Sequence, residues 1–203
     1  MWSKKNINEW YSNHKWLVGC NYLPSTAINQ LEMFQEDSFD PETNNKEIGW
    51  ANDIGFNSLR IYLHDLLWQD KENFKNRLNK ILILCSDHSI KPILVLFDDC
   101  HRPFPKLGKQ PLPVRGVHNS GWKQSPGHEI VREIVKGNKE EEARLKLFTQ
   151  EILEDFREDE RILMWDLYNE PGQFGIGDES NILLTKVWDL SLIHISEPTR
   201  LSL

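Results

Sequence analysis

The feature that most restricts this chain is its alternation of short, near-continuous apolar runs with longer stretches of helical periodicity. Four runs are rich in β-branched or aromatic residues and bounded by turn formers, which predicts buried strands: WLVGCNY (Trp16 to Tyr22), SLRIYLH (Ser58 to His64), PILVLF (Pro92 to Phe97) and ILMWDLYNEP (Ile162 to Pro171). Between them, Glu42 to Ile54, Lys71 to His88 and Lys139 to Glu158 repeat apolar positions at helical spacing with charged faces outside. The order is β-α-β-α-β-α-β. Strands with almost no polar alternation need cover on both faces, and an intervening helix after each strand supplies it in a parallel sheet. Periodicity leaves two architectures open, a doubly wound sheet and a (β/α)8 barrel.

Polar residues tilt the choice. They gather just past the C-terminal ends of the predicted strands, in NY, HD, DDCH and NEP, which is where barrels carry their active sites. A nucleotide-binding open sheet would run from its first strand into a glycine-rich phosphate loop, whereas this chain runs into NYLPSTAINQLEMF, which has no glycine. The expectation is therefore α/β, the N-terminal half of a (β/α)8 barrel with about four βα units.

Composition removes several function classes. With 39% hydrophobic and 27% charged residues the chain can bury one sizeable core, and a net charge of -7 without a dense basic stripe makes nucleic acid an unexpected partner. No run at the N-terminus has the apolar core of a signal peptide and no later stretch is long enough to span a bilayer, so no membrane association is expected; localisation stays open. Cys20, Cys85 and Cys100 form no CxxC pair and are odd in number, so buried reduced thiols are expected rather than disulfides or a zinc site. Nothing implies a cofactor.

The third connection, from Asp98 to about Gly137, is long and proline-rich and carries Phe104, Trp122 and three histidines. A segment of that kind is a functional wall or a packing lid. Trp122 is the residue in it suited to stacking on a sugar face.

The motif WDLYNEP, Trp165 to Pro171, resembles the end of the fourth strand in the clan of (β/α)8 glycoside hydrolases that includes glycoside hydrolase family 5, and GFNSLRIYLHD, Gly55 to Asp65, resembles that clan's second strand. The resemblance runs from about Trp16 to Asp189. It implies Glu170 as the catalytic acid/base and Asn169 as the residue that hydrogen-bonds the sugar hydroxyl beside the reacting carbon. It also implies that Arg60 lies under the active site to hold the nucleophile's carboxylate, and that His101 lines the pocket. The nucleophile in that clan is a Glu at the end of a seventh strand, and the substrate class is a β-linked oligo- or polysaccharide.

The residue types suit that chemistry on their own terms. Cleaving a glycosidic bond needs a proton for a poor leaving oxygen and a second carboxylate, about 5 to 5.5 Å from the first in retaining enzymes, to meet the charge at the anomeric carbon. A glutamic acid donates at neutral pH when partial burial and a nearby anion raise its pKa, and a glutamate ending a buried strand is placed for both. Period-two alternation from Glu170 turns Tyr168 and Asp166 to the barrel interior, where Asp166 needs a partner and Arg60, from a strand of the same alternate set, is the candidate. His64 and Asp65 read as a helix-entry pair with Asp65 as the cap. Two other functions fit the sequence. One is a non-catalytic sugar-binding barrel; the other is a metal-dependent hydrolase using His64, Asp98, Asp99 and His101.

The last segment stands apart. Leu190 to Arg200, LSLIHISEPTR, resembles the in-frame translation of a sequencing-library adapter. The expected division is residues 1–189 as part of a barrel catalytic domain and 190–203 as a non-native tail. A half barrel leaves open sheet edges, so residues 1–203 alone are expected not to hydrolyse glycosides.

Overall fold

A computed structural model describes residues 3–173, 175–194 and 201–202. Four parallel strands, β1 (Gly19–Asn21), β2 (Ser58–Tyr62), β3 (Lys91–Asp98) and β4 (Met164–Asn169), lie side by side in chain order, and a two-residue β5 (Leu201–Ser202) pairs alongside Trp165 and Asp166 of β4. A doubly wound sheet reverses its strand order at a switch point; this one never does, which resolves the open choice in favour of the half barrel. The close pairing of β1 with β2 depends on Gly19, where a Cβ would overlap the Ser58 carbonyl oxygen.

In chain order, the helices among the described residues are α1 (Lys4–Ser12), α2 (Gln30–Phe34), α3 (Pro41–Asp53), α4 (Lys71–Asp87), α5 (His128–Val135), α6 (Lys139–Phe156) and α7 (Glu179–His194), with a 3-10 helix at Asp65–Asp70. The three helices expected from periodicity are α3, α4 and α6. Their starts follow from local chemistry. Asp40 accepts the Thr43 N–H ahead of Pro41, and Asn138 accepts from Glu140 and Glu141 at the head of α6, whose acidic first turn suits the positive end of the helix dipole. α1 is capped by Ser3 but buries no residue, so it lacks the apolar stripe by which a core helix is read from sequence. No described helix is long and apolar enough to cross a membrane.

The core lies between the sheet and the helices. Leu59, Ile61 and Leu63 of the β2 segment, Leu94 and Leu96 of β3, and Trp165 and Leu167 of β4 meet Ile48 of α3, Phe74, Leu78 and Ile81 of α4, and Phe148 and Ile152 of α6. Each such side chain contributes roughly 1.5–3 kcal/mol on burial. A run of edge-to-face aromatic contacts, Phe34 on Phe74, Phe74 on Trp68, Trp68 on Phe148 and Phe148 on Phe97, ties α2, α4, the 3-10 helix, α6 and β3 together. Arg60, Tyr62 and Asp166 do not belong to this core, so the opposite face of the sheet carries the charge.

Two expectations are corrected here. Of the cysteines only Cys85 is buried; Cys20 is exposed on β1 and Cys100 is partly exposed. His64, not Asp65, caps the 3-10 helix, its Nδ1 accepting the Leu66 N–H at 3.2 Å. Asp65 is spent elsewhere, on Ser125 Oγ at 2.9 Å and Arg144 Nη1 of α6 at 2.6 Å.

Candidate active site

Arg60 and Tyr62 are two residues apart on β2 and share the face away from the helices. Arg60 Nε donates to Asp166 Oδ2 at 3.0 Å, and Nη2 donates to the same oxygen and, at 2.9 Å, to Asn169 Oδ1; Nη1 reaches the Tyr62 hydroxyl. The Arg60–Asp166 pair anticipated from strand alternation is thus formed between residues 106 apart in the chain. Burial pushes the Tyr62 hydroxyl pKa up, with Arg60 opposing, so Tyr62 stays neutral in its contact with Arg60.

Asn169 passes the network on to β3. Its Nδ2 donates to Asp98 Oδ1 at 2.6 Å. Asp98 also accepts the Cys100 N–H at 3.2 Å, the His101 N–H at 3.3 Å and His101 Nδ1 at 2.6 Å. With donors converging on it from Asn169, Cys100 and His101, the carboxylate acts as an acceptor, so His101 carries a hydrogen on Nδ1 and leaves Nε2 without a partner in this network.

The long third connection is fastened over this cluster. Arg102 N donates to Trp122 O at 3.1 Å, Gln124 N donates to Arg102 O at 2.9 Å, and the buried Asn29 gives its Nδ2 to Gly121 O and Gln110 Oε1, both at 2.9 Å. These bonds bring Trp122 against His101, rings 4.9 Å apart and tilted 35°, and edge-on to Tyr62 at 5.0 Å. The two ends of the segment pack here while residues 111–119 are exposed, and Trp122 and His101 lie in the same cluster as Arg60 and Asn169.

Glu170 follows directly, at φ 47. A non-glycine residue in that left-handed region is held there by its surroundings. Burial first, and then the nearby Glu170 carboxylate, push the Cys100 thiol up to about 12. The partial burial expected of Glu170 is not found, for the residue is exposed. Tyr168 also departs from expectation. Its ring packs on Phe97, itself against Phe148 of α6, and its hydroxyl donates to Asp99 Oδ1 at 3.0 Å, so it faces the helices. Alternation fails at the strand end because Asp99, turned outward, supplies the acceptor there, and Asn169 takes the inner position instead.

The four residues weighed as metal ligands do not converge. Asp98 and His101 bond each other, Asp99 points to α7, and His64 is fully buried beside Asp65. Among the described residues no three of His, Cys, Asp and Glu group so as to hold a metal. Two cluster members were not singled out from sequence. Tyr62 was signalled by its two-residue spacing from Arg60, whereas nothing local marks Cys100 as the neighbour of Glu170.

No family model matches the sequence, and neither does any curated protein. Among solved structures the chain is similar to a crystal structure described as a glycoside hydrolase, with a TM-score of 0.51 and 19% identity over 88% of this chain and 51% of that one. The chain therefore spans about half the length of that structure. The likeness is one of fold, a glycoside-hydrolase-like α/β architecture built on the parallel sheet.

Proposed function

We propose that this chain is the N-terminal half of a retaining glycoside hydrolase domain of the clan containing family 5, cleaving β-linked oligo- or polysaccharides with Glu170 as acid/base. The observation that supports it best is the position of Asn169 and Glu170. They end β4 beside a cluster of Arg60, Asp98, Asp166 and His101, with Glu170 in a left-handed backbone conformation.

In the first step Glu170 gives its proton to the glycosidic oxygen as the bond from that oxygen to the anomeric carbon breaks, its electron pair staying on the oxygen. A carboxylate from another strand end bonds the anomeric carbon. In the second step the Glu170 carboxylate takes a proton from water, whose oxygen bonds the carbon and releases the nucleophile. One Nδ2 hydrogen of Asn169 is engaged by Asp98, leaving the second for the hydroxyl beside the reacting carbon. Arg60 has four of its five N–H groups engaged, leaving one on Nη1 for the nucleophile's carboxylate. His101 Nε2 and the Trp122 ring complete the sugar-binding surface.

The test starts from native template, amplified across the codons for Asp189 and Leu190, because residues 190–203 are proposed to be appended sequence. The protein from that complete reading frame is assayed on aryl β-glycosides. Glu170→Gln is expected to lose on the order of 10²–10⁴ in kcat/KM, the constant that reports the first step, on substrates with poor leaving groups and far less on a dinitrophenyl glycoside, whose departure needs no proton. Equal loss on both would remove Glu170 as the acid. Saturable oligosaccharide binding with no turnover in the parent protein would favour the sugar-binding barrel instead.

A further inference from the structure

Asp98 and Asp99 are adjacent, yet they face opposite ways from the end of β3. Asp98 belongs to the cluster described above. Asp99 is fully buried and grips the far side of the turn that carries Glu170. Its backbone N–H donates to Asn169 O at 3.1 Å, and its Oδ2 accepts the Gly172 N–H at 2.9 Å. Oδ2 also takes Ser180 Oγ at the start of α7, and Oδ1 takes the Tyr168 hydroxyl at 3.0 Å. Asp99 therefore holds the residue just before Glu170 and the glycine two residues after it. That glycine is at φ 93, and a Cβ there would lie 2.9 Å from Gly177 O, so the turn has a single tight path. On the other side, the Cys100 thiol lies near enough to the Glu170 carboxylate to feel its charge.

We propose that Asp99 is a positioning residue for Glu170: by clamping the turn at Asn169 and Gly172 it keeps the backbone of Glu170 in its left-handed conformation and so fixes where the carboxylate points. The inference rests on Glu170 being the acid/base of a glycoside hydrolase, but its geometric half stands apart from that. Such a buried acceptor acts without touching substrate. Replacing it by asparagine keeps the shape while setting an NH2 against either the Tyr168 hydroxyl or the Gly172 and Ser180 donors.

The experiment uses the protein from the complete native reading frame, with Asp99→Asn, Tyr168→Phe and Glu170→Gln compared. Asp99→Asn is expected to lower kcat/KM about 10- to 100-fold on a poor leaving group and only a few-fold on a dinitrophenyl glycoside, the loss falling on the proton-dependent first step. Tyr168→Phe, which removes one donor and keeps the ring, follows in the same direction by a few-fold and serves if Asp99→Asn does not fold. A second readout is the rate at which Cys100 reacts with a disulfide reagent in a Cys20→Ser background. Glu170→Gln should speed it by removing the charge beside the thiol, and Asp99→Asn should speed it likewise by letting that charge move away.

Equal losses on both leaving groups in the Asp99 and Tyr168 variants, with Glu170→Gln still discriminating, would overturn the positioning role. A native thiol rate in Asp99→Asn or, should that variant not fold, in Tyr168→Phe would overturn it too. If Glu170→Gln itself fails to discriminate between leaving groups, the hydrolase reading falls. The thiol rates then still decide whether Asp99 fixes Glu170.

Discussion

Two arginine–aspartate pairs occupy opposite faces of the sheet, Asp65 with Arg144 on the helix side and Arg60 with Asp166 on the inner side. The outer carboxylate is fully buried beside His64, and its oxygens accept from Ser125 and Arg144, joining the end of β2, the loop before α5 and α6. The inner side chains retain 25% and 17% of their exposure, and their network runs on to Asn169, the residue before the exposed Glu170. The chemistry is the same and the surroundings differ. Asp65 stranded without Arg144 has no water to turn to, whereas Asp166 stranded without Arg60 can rehydrate or bind a ligand. The outer pair therefore serves stability and the inner pair is available for function.

Removing one partner from each side tests that division. Arg144→Met should cost about 3–5 kcal/mol in urea unfolding, because it leaves Asp65 buried without its cation. A loss below about 1 kcal/mol would erase the contrast. Arg60→Met should do the reverse, changing unfolding stability by no more than about 1 kcal/mol while lowering kcat/KM on the order of 100-fold, or about 2.7 kcal/mol of transition-state binding. A large stability loss with unchanged kinetics would make Arg60 a structural residue.

Acid gives a smaller, continuous version of the first test. Burial pushes the Asp65 carboxyl up, but His64 and Arg144 outweigh it and hold the group well below its ordinary 3.8. A carboxyl depressed in the folded state contributes stability above its unfolded pKa and loses it as pH falls towards the folded one. Unfolding midpoints should therefore drop as pH falls below about 4, and Arg144→Met should flatten that slope. An unchanged slope would assign the acid sensitivity to other carboxylates. The smallest effect is expected at Trp122. Trp122→Ala should weaken oligosaccharide binding by about 1 kcal/mol, roughly fivefold in KM, with kcat little changed. A kcat effect without a KM effect would instead make the ring a support for His101.

Much of the inner site was legible. Trp165 to Pro171 marked a strand ending in reactive residues, and the Arg60–Asp166 pair forms as expected, although the count from Glu170 that led to it breaks at Tyr168. Alternation failed at Tyr168, where both neighbouring strands reach their ends and a buried acceptor, Asp99, outweighs the inner face. The burial expected for Glu170 failed for a related reason. A strand's apolar run says that its body is covered, and says nothing about cover over its last residue.

What the sequence by itself determined was the alternation of strands and helices, the starts of α3 and α6 near Glu42 and Lys139, and the gathering of reactive residues past the fourth strand. Periodicity, capping and turn chemistry act over a few residues and are written locally. Only the tertiary structure decided that Asp98 turns in and Asp99 turns out, that Asn29 pins Trp122 beside His101, and that Cys100 meets Glu170. At strand ends no ladder dictates direction, so each side chain goes where distant elements supply its hydrogen-bond partner.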